Sequence, residues 1–321
     1  MIEKKALIFT PYLKSVIWGG SKICSLKGIP QPAEKIGESW EISAIPSHLS
    51  IVADGRYKGL NINELIDRFG ADILGTKVAE KYHGAFPLLI KLIDAADDLS
   101  VQVHPDDDLA MARHCTLGKS EMWYIIDADA DARIYAGLNC RMTPDGYVQR
   151  VQEGTFASAV ASHPSAPGYI FFLPAGRVHA IGAGNFVAEI QQSSDITYRI
   201  YDYDRRDADG HTRQLHADLA KDAIDYNVYS DYTNISLPPE QDDAPIVSCD
   251  QFATRRIKLN GTHTITLDGS TFVVVMCIEG AVTISAPDGD ITITAGHTAL
   301  VPAAVGEAIL SGNALLLTAQ I

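Results

Sequence analysis

Hydrophobic and polar positions alternate along LSVQVHPDDD, residues 99–108. Leu99, Val101 and Val103 fall on one face of an extended segment, Gln102 and His104 on the other. This predicts a half-buried strand, preceded by the apolar run FPLLIKLIDA, with two metal-capable side chains on its polar face. Residues 61–83, NINELIDRFGADILGTKVAEKYH, have a different period. Ile62, Leu65, Ile66 and Phe69 recur at helical spacing and predict a helix with Asn61 or Asn63 as its N-cap. Residues 1–56 read as short strands and loops, and residues 87–199 as β-rich with one helical piece around PDDDLAMARHC. HADLAKDAIDY, residues 216–226, reads as a second helix, and the acidic, proline-punctuated LPPEQDDAP, residues 237–245, as a linker. From residue 246 onward, short β-branched runs alternate with Glu-Gly, Asp-Gly and Gly turns, the pattern of a sandwich or jelly roll.

Composition narrows the function classes. The 321 residues are 46% hydrophobic and 21% charged, enough for two or three domains with real cores. The mixed N-terminus does not read as a signal peptide and no apolar run is long enough for a membrane helix, so the expectation is a soluble, cytoplasmic protein. Five cysteines without a CxxC pair argue against a disulfide framework and a thiolate zinc site. A net charge of −14 makes nucleic acid an improbable partner. It also means that an anionic substrate must meet locally placed positive charge.

Two segments share one pattern. GYIFFLPAGRVH has Gly168, Pro174, Gly176 and His179; GHTALVPAAVGE has Gly296, Pro302, Ala304 and Glu307 at the same spacing. The turns made by Gly and Pro-x-Gly would present the following side chain, an imidazole in the first copy and a carboxylate in the second, inward from a strand. The first copy resembles the second cupin motif. The resemblance implies a mainly β chain of double cupin, or jelly-roll, β-barrels with a small helical insertion. Residues 1–240 would be a metal-binding catalytic domain, with the insertion at about 57–85, and residues 241–321 a degenerate, metal-free cupin-like domain.

On the same resemblance, VQVHP supplies Gln102 and His104, and GKSEMWYII supplies Glu121 after an inserted loop. With His179 they form a set of two imidazoles, a carboxylate and an amide oxygen. That set fits one Zn²⁺ per chain, with Mn²⁺, Fe²⁺ or Co²⁺ allowed by geometry.

LSVQVHPDD, GKSEMWYIID, FFLPAGRVHAIG and EIQQSSDITYRIYDYDR, with PYLKSVIWGG and IGESWEISA nearer the start, resemble the type I mannose-6-phosphate isomerases in their shorter bacterial form. The resemblance implies an enzyme that interconverts mannose 6-phosphate and fructose 6-phosphate through an enediol(ate), with a phosphorylated hexose as partner. Gln102, His104, Glu121 and His179 would be the zinc ligands and Arg199 the catalytic-site arginine. Lys91 and Ser100 are phosphate contacts by the same analogy. Glu189 is either the base or a carboxylate that holds a metal-bound histidine, and Lys119 either a proton shuttle or a phosphate attractor. Asp106, Asp107 and Asp108 read as a helix N-terminus rather than a second metal site. Longer relatives carry an Arg-Ala-Gly-Leu-Thr type segment where this chain has RIYDYDR, so phosphate contacts there do not carry over. Two other readings remain open: a non-catalytic sugar-phosphate-binding cupin and a metal-dependent oxygenase.

Overall fold

The run FPLLIKLIDA forms the strand Leu88–Ala95, in which every residue is buried. Its sheet is covered on both faces, so a mostly apolar stretch, broken only by Lys91 and Asp94, suits it better than strict alternation. The computed structural model describes residues 1–206, 210–230, 232, 234–236 and 242–321, and its strands form three antiparallel sheets. The central sheet runs, edge to edge, Asn234–Ser236, Tyr169–Leu173, Glu121–Ala128, Asn185–Gln192, Leu88–Ala95, Ile36–Ile42 and Tyr12–Gly20. One face packs on a five-stranded sheet ordered Tyr198–Tyr201, Val101–Val103, His179–Ile181, Arg133–Leu138 and Val160–Pro164, through Trp123, Ile125, Val187 and Ile181. The other face, with Ile90, Leu92, Met122 and Ile190, packs against Phe272, Val274, Met276 and Leu317 of the third sheet.

That third sheet carries the strands predicted after residue 246, among them Ala253–Thr266, Val273–Ala286 and Glu307–Gln320. It also takes in Leu7–Thr10, whose Leu7 pairs with Leu300, and Ile51–Val52. The mainly β, cupin-type architecture with a small helical insertion is therefore present. Among the described residues, no helix is long and apolar enough to cross a membrane.

The single helix expected over residues 61–83 is instead three short ones, Ile62–Phe69, Ala71–Leu74 and Thr76–Lys81. They break at Gly70 and Gly75, where φ is +48° and +87°. Gly75 is required for contact as well as turn: a Cβ there would lie 2.3 Å from the backbone of Ser270 and Thr271. Close approach of the loop that precedes the strand Val273–Ala286 thus overrides helical continuity. Asn61 is the N-cap, in a reciprocal capping box with Glu64. The second helical piece spans Asp107–His114, capped by Asp106, with Asp107 and Asp108 in its first turn. HADLAKDAIDY contributes the shorter helix Ala217–Ala223. Of the expected linker over 237–245, residues 237–241 lie outside the described residues, and Asp243–Pro245 are instead the start of the strand Asp243–Ser248, paired with Ile257, Arg256 and Arg255.

A buried ion pair ties these layers together. Lys27 Nζ lies 2.8 Å from Glu41 Oε1, their side chains being 1% and 4% exposed, and Lys27 also donates to the Gly296 carbonyl. Glu41 belongs to the central sheet, whereas Gly296 lies in a turn of the third. Removing one partner leaves a desolvated charge, so Glu41→Ala should lower stability in urea unfolding by ~3–5 kcal/mol. Joint replacement by Lys27→Met and Glu41→Leu should recover most of that loss. Equal losses for the single and double variants would contradict this account.

Candidate active site

Pairing register sets two rows of polar side chains face to face. Across the central sheet, Trp40 pairs with Lys91, Lys91 with Glu189, and Glu189 with Trp123. Two residues along, Gln191 pairs with Glu121, so Glu121 shares the face of Trp123. Across the five-stranded sheet, Arg199 pairs with Gln102 and Gln102 with His179. His104 follows Gln102 by two residues and points to the same side. Glu189 and Arg199, ten positions apart in the chain, therefore belong to different sheets.

Where the rows converge, ligand atoms of His104, Glu121 and His179 all lie within 4.8 Å of one another. Both imidazoles have their orientation fixed from behind. His104 Nδ1 is 2.8 Å from the Ile196 carbonyl and His179 Nδ1 is 2.8 Å from the Arg177 carbonyl, which places the proton on Nδ1 and leaves each Nε2 a lone pair. The turn that delivers His179 is tied to the other ligand strand, because the Gly176 N–H donates to the His104 carbonyl at 2.9 Å. Gln102 places its amide nitrogen 3.3 Å from His179 Nε2, and a half-turn of the amide would present its oxygen instead.

Glu121 is fully buried. His179 Nε2 stands 3.2 Å from Oε1, while Lys119 Nζ lies 2.9 Å from Oε2 and 2.9 Å from His104 Nε2. Burial pushes the Glu121 carboxyl up to about 7 and the His179 imidazole down to about 3. His104 lies well below its usual range, through burial and the adjacent Lys119 charge. Two uncharged imidazoles converging on a buried carboxylate fit a divalent cation.

Beside this cluster opens a cavity of about 450 Å³, with Gln102 and Lys119 in its wall. Lys14, Lys91, Lys119, Arg199 and Arg213 line it against Glu38, Glu189 and Asp195: five basic groups to three acidic ones. Ser100 also lines it, its hydroxyl 3.3 Å from Arg199 Nε. Lys91 and Glu189 are joined at 2.9 Å, and Glu189 also accepts from Trp123 Nε1 at 2.8 Å. Burial alone would raise the Glu189 carboxyl, but Lys91 and Lys119 overcome it and hold the group at about 2.

Glu307, the counterpart of His179 in the repeat, is exposed. Sequence reasoning passed over Lys14, Glu38, Trp40 and Arg213. Glu38 holds Lys14 at 3.0 Å and accepts from Trp40 Nε1 at 2.7 Å. The polar-aromatic alternation in ESWEI was a usable signal for that group. Arg213 follows an irregular segment and had none.

Comparison with known proteins agrees with this geometry. Residues 7–139 match the model of the phosphomannose isomerase type I catalytic domain, and residues 243–320 that of the mannose-6-phosphate isomerase cupin domain. The chain is 33% identical to the mannose-6-phosphate isomerase ManA of Bacillus subtilis over 96% of each chain. It is 40% identical to the mannose-6-phosphate isomerase of Streptococcus mutans over 65% of this chain and 64% of the relative. The crystal structure of mannose 6-phosphate isomerase from Bacillus subtilis superposes with a TM-score of 0.87 at 32% identity, covering 99% of this chain and all of that one. With a His–Glu–His cluster beneath a basic cavity and relatives matching along its whole length, the chain belongs to the type I mannose-6-phosphate isomerase family.

Proposed function

We propose that the chain is a zinc-dependent isomerase that interconverts mannose 6-phosphate and fructose 6-phosphate through an enediol(ate), with one ion per chain held by His104, Glu121, His179 and Gln102. The observation that carries this reading is the buried Glu121 carboxylate between two histidines whose Nε2 lone pairs face it, at the wall of a cationic cavity. Two imidazoles, a carboxylate and an amide oxygen suit zinc. When bound, the ion supplies fixed positive charge for the sugar's carbonyl and hydroxyl oxygens.

The remaining roles fall to the chain's own groups. Isomerisation takes a proton from C2 of the open-chain aldose and returns one to C1. Lys119 reaches the cavity from between His104 and Glu121, so its Nζ is the group placed to move that proton. Glu189 is already engaged by Trp123 and Lys91. Its part is to hold those side chains, and Trp123 packs edge-on to His179 at 5.3 Å. Arg199 stands beside Gln102 in the sheet, where a permanently charged fork can meet the enediolate oxygen.

A coupled assay for fructose 6-phosphate formation, before and after chelation, tests the reading. Metal analysis should find about one divalent ion per chain, with His104→Ala and His179→Ala each losing most of it and the activity, since changes even behind metal ligands cost ~10–100-fold in affinity. An active, metal-free preparation would refute the zinc reading.

Lys119→Met should lower turnover by ~10²–10⁴-fold, the usual contribution of a positioned proton-transfer group. Arg199→Lys keeps the charge without the fork and should lower turnover by ~10²–10³-fold with a smaller change in KM. Near-normal kinetics in either variant, with metal content intact, would remove that residue from its assigned role.

A further inference from the structure

The segment after Arg199 contains a second guanidinium aimed at the same cavity. The chain leaves the sheet at Asp202, turns through Tyr203 and Asp204 at φ +55° and +52°, and returns through an antiparallel bridge between Arg206 and Thr212. His216 then pairs back onto Arg199, its N–H donating to the Arg199 carbonyl at 2.7 Å and its Nδ1 accepting the Arg199 N–H at 3.3 Å. This return carries Arg213 into the cavity wall with Arg199.

Asp202, 5% exposed, holds Arg213 from behind, accepting from Nε at 2.7 Å and also from Nη2. Among the described residues, the side-chain hydrogen bonds of Arg213 go to Asp202 alone, which leaves Nη1 without a protein acceptor. The other basic groups are engaged differently. Lys14 is paired with Glu38, Lys91 with Glu189 and Lys119 with Glu121. Arg199 donates through Nε to Ser100 and through Nη1 to the Gln214 carbonyl. Burial and the Arg213 charge both disfavour the Arg199 cation. Two guanidiniums lining one cavity are a costly arrangement that a bound anion would relieve.

We propose that Arg213, oriented by Asp202, binds the phosphate monoester of the sugar, leaving Arg199 for the reacting end. The assignment rests on the isomerase reading above. Arg199 is the sheet neighbour of Gln102, whereas Arg213 comes from outside the sheet, so the two arginines divide the substrate between its reacting carbons and its phosphate. It also supplies a phosphate contact where the RIYDYDR segment departs from longer relatives.

The test compares wild type, Arg213→Gln and Arg213→Lys as metal-loaded enzymes, with melting temperature and metal content as controls. In Arg213→Gln, KM for mannose 6-phosphate and the inhibition constant for inorganic phosphate should both rise ~10–100-fold with kcat within about threefold, the signature of a lost charged contact made in ground and transition states alike. Arg213→Lys should recover part of both. Unchanged KM and phosphate inhibition, or a loss of kcat at constant KM, would overturn the proposal. If wild type proves not to isomerise, the isomerase reading fails on its own. Calorimetric titration of inorganic phosphate into wild type and Arg213→Gln then decides for or against a phosphate site at Arg213: weaker binding in the variant supports it, and equal binding removes it.

Discussion

A carboxylate sealed between two sheets costs on the order of several kcal/mol unless positive charge meets it. Glu121 is in that position, with the Lys119 ammonium 2.9 Å away and two imidazoles beside it, and much of the surrounding architecture follows from it. The imidazoles must remain unprotonated with Nε2 turned inward, so backbone carbonyls of Ile196 and Arg177 take the Nδ1 side. The sheets must approach closely at the polar rows yet remain apolar beyond them, as Trp123, Ile125 and Ile181 show. Glu38 and Glu189 must also be balanced in the same interior, which Lys14 and Lys91 achieve.

Charge is consequently distributed in two tiers. The chain as a whole carries −14, while its cavity presents five basic groups to three acidic ones. Long-range attraction contributes little to capturing an anion here, because the net field opposes it and salt screens exposed charge within about 10 Å. Recognition is therefore short-ranged, exerted by groups already held in place by protein acceptors before substrate arrives.

Local spacing made part of this visible in the sequence. Gln102 and His104 alternate along a strand, and the turn pattern from Gly168 to His179 places an imidazole at the start of another. Both signals depend only on neighbours in the chain. The facing of Glu189 and Arg199 depends on register between sheets, which no local pattern encodes. Glycine breaks at 70 and 75 overrode a sound helical period because the loop at Ser270 and Thr271 packs against Gly75. Arg213 is positioned by Asp202 across an irregular excursion, and neither residue stands out by type or spacing.

The pairing of Leu7 with Leu300 bears on how the polypeptide emerges from the ribosome. The strand Leu7–Thr10 is synthesised well before its partner Thr298–Val301. At ~5–20 residues per second, the early strand waits on the order of tens of seconds with an unpaired edge. Such an edge invites pairing with another chain during that interval. Closure of this contact is a late, non-local event, which places the molecule among slow folders by topology. Nascent chains stalled before residue 298 would thus carry His104, Glu121 and His179 but lack the strand that covers this edge of Leu7–Thr10.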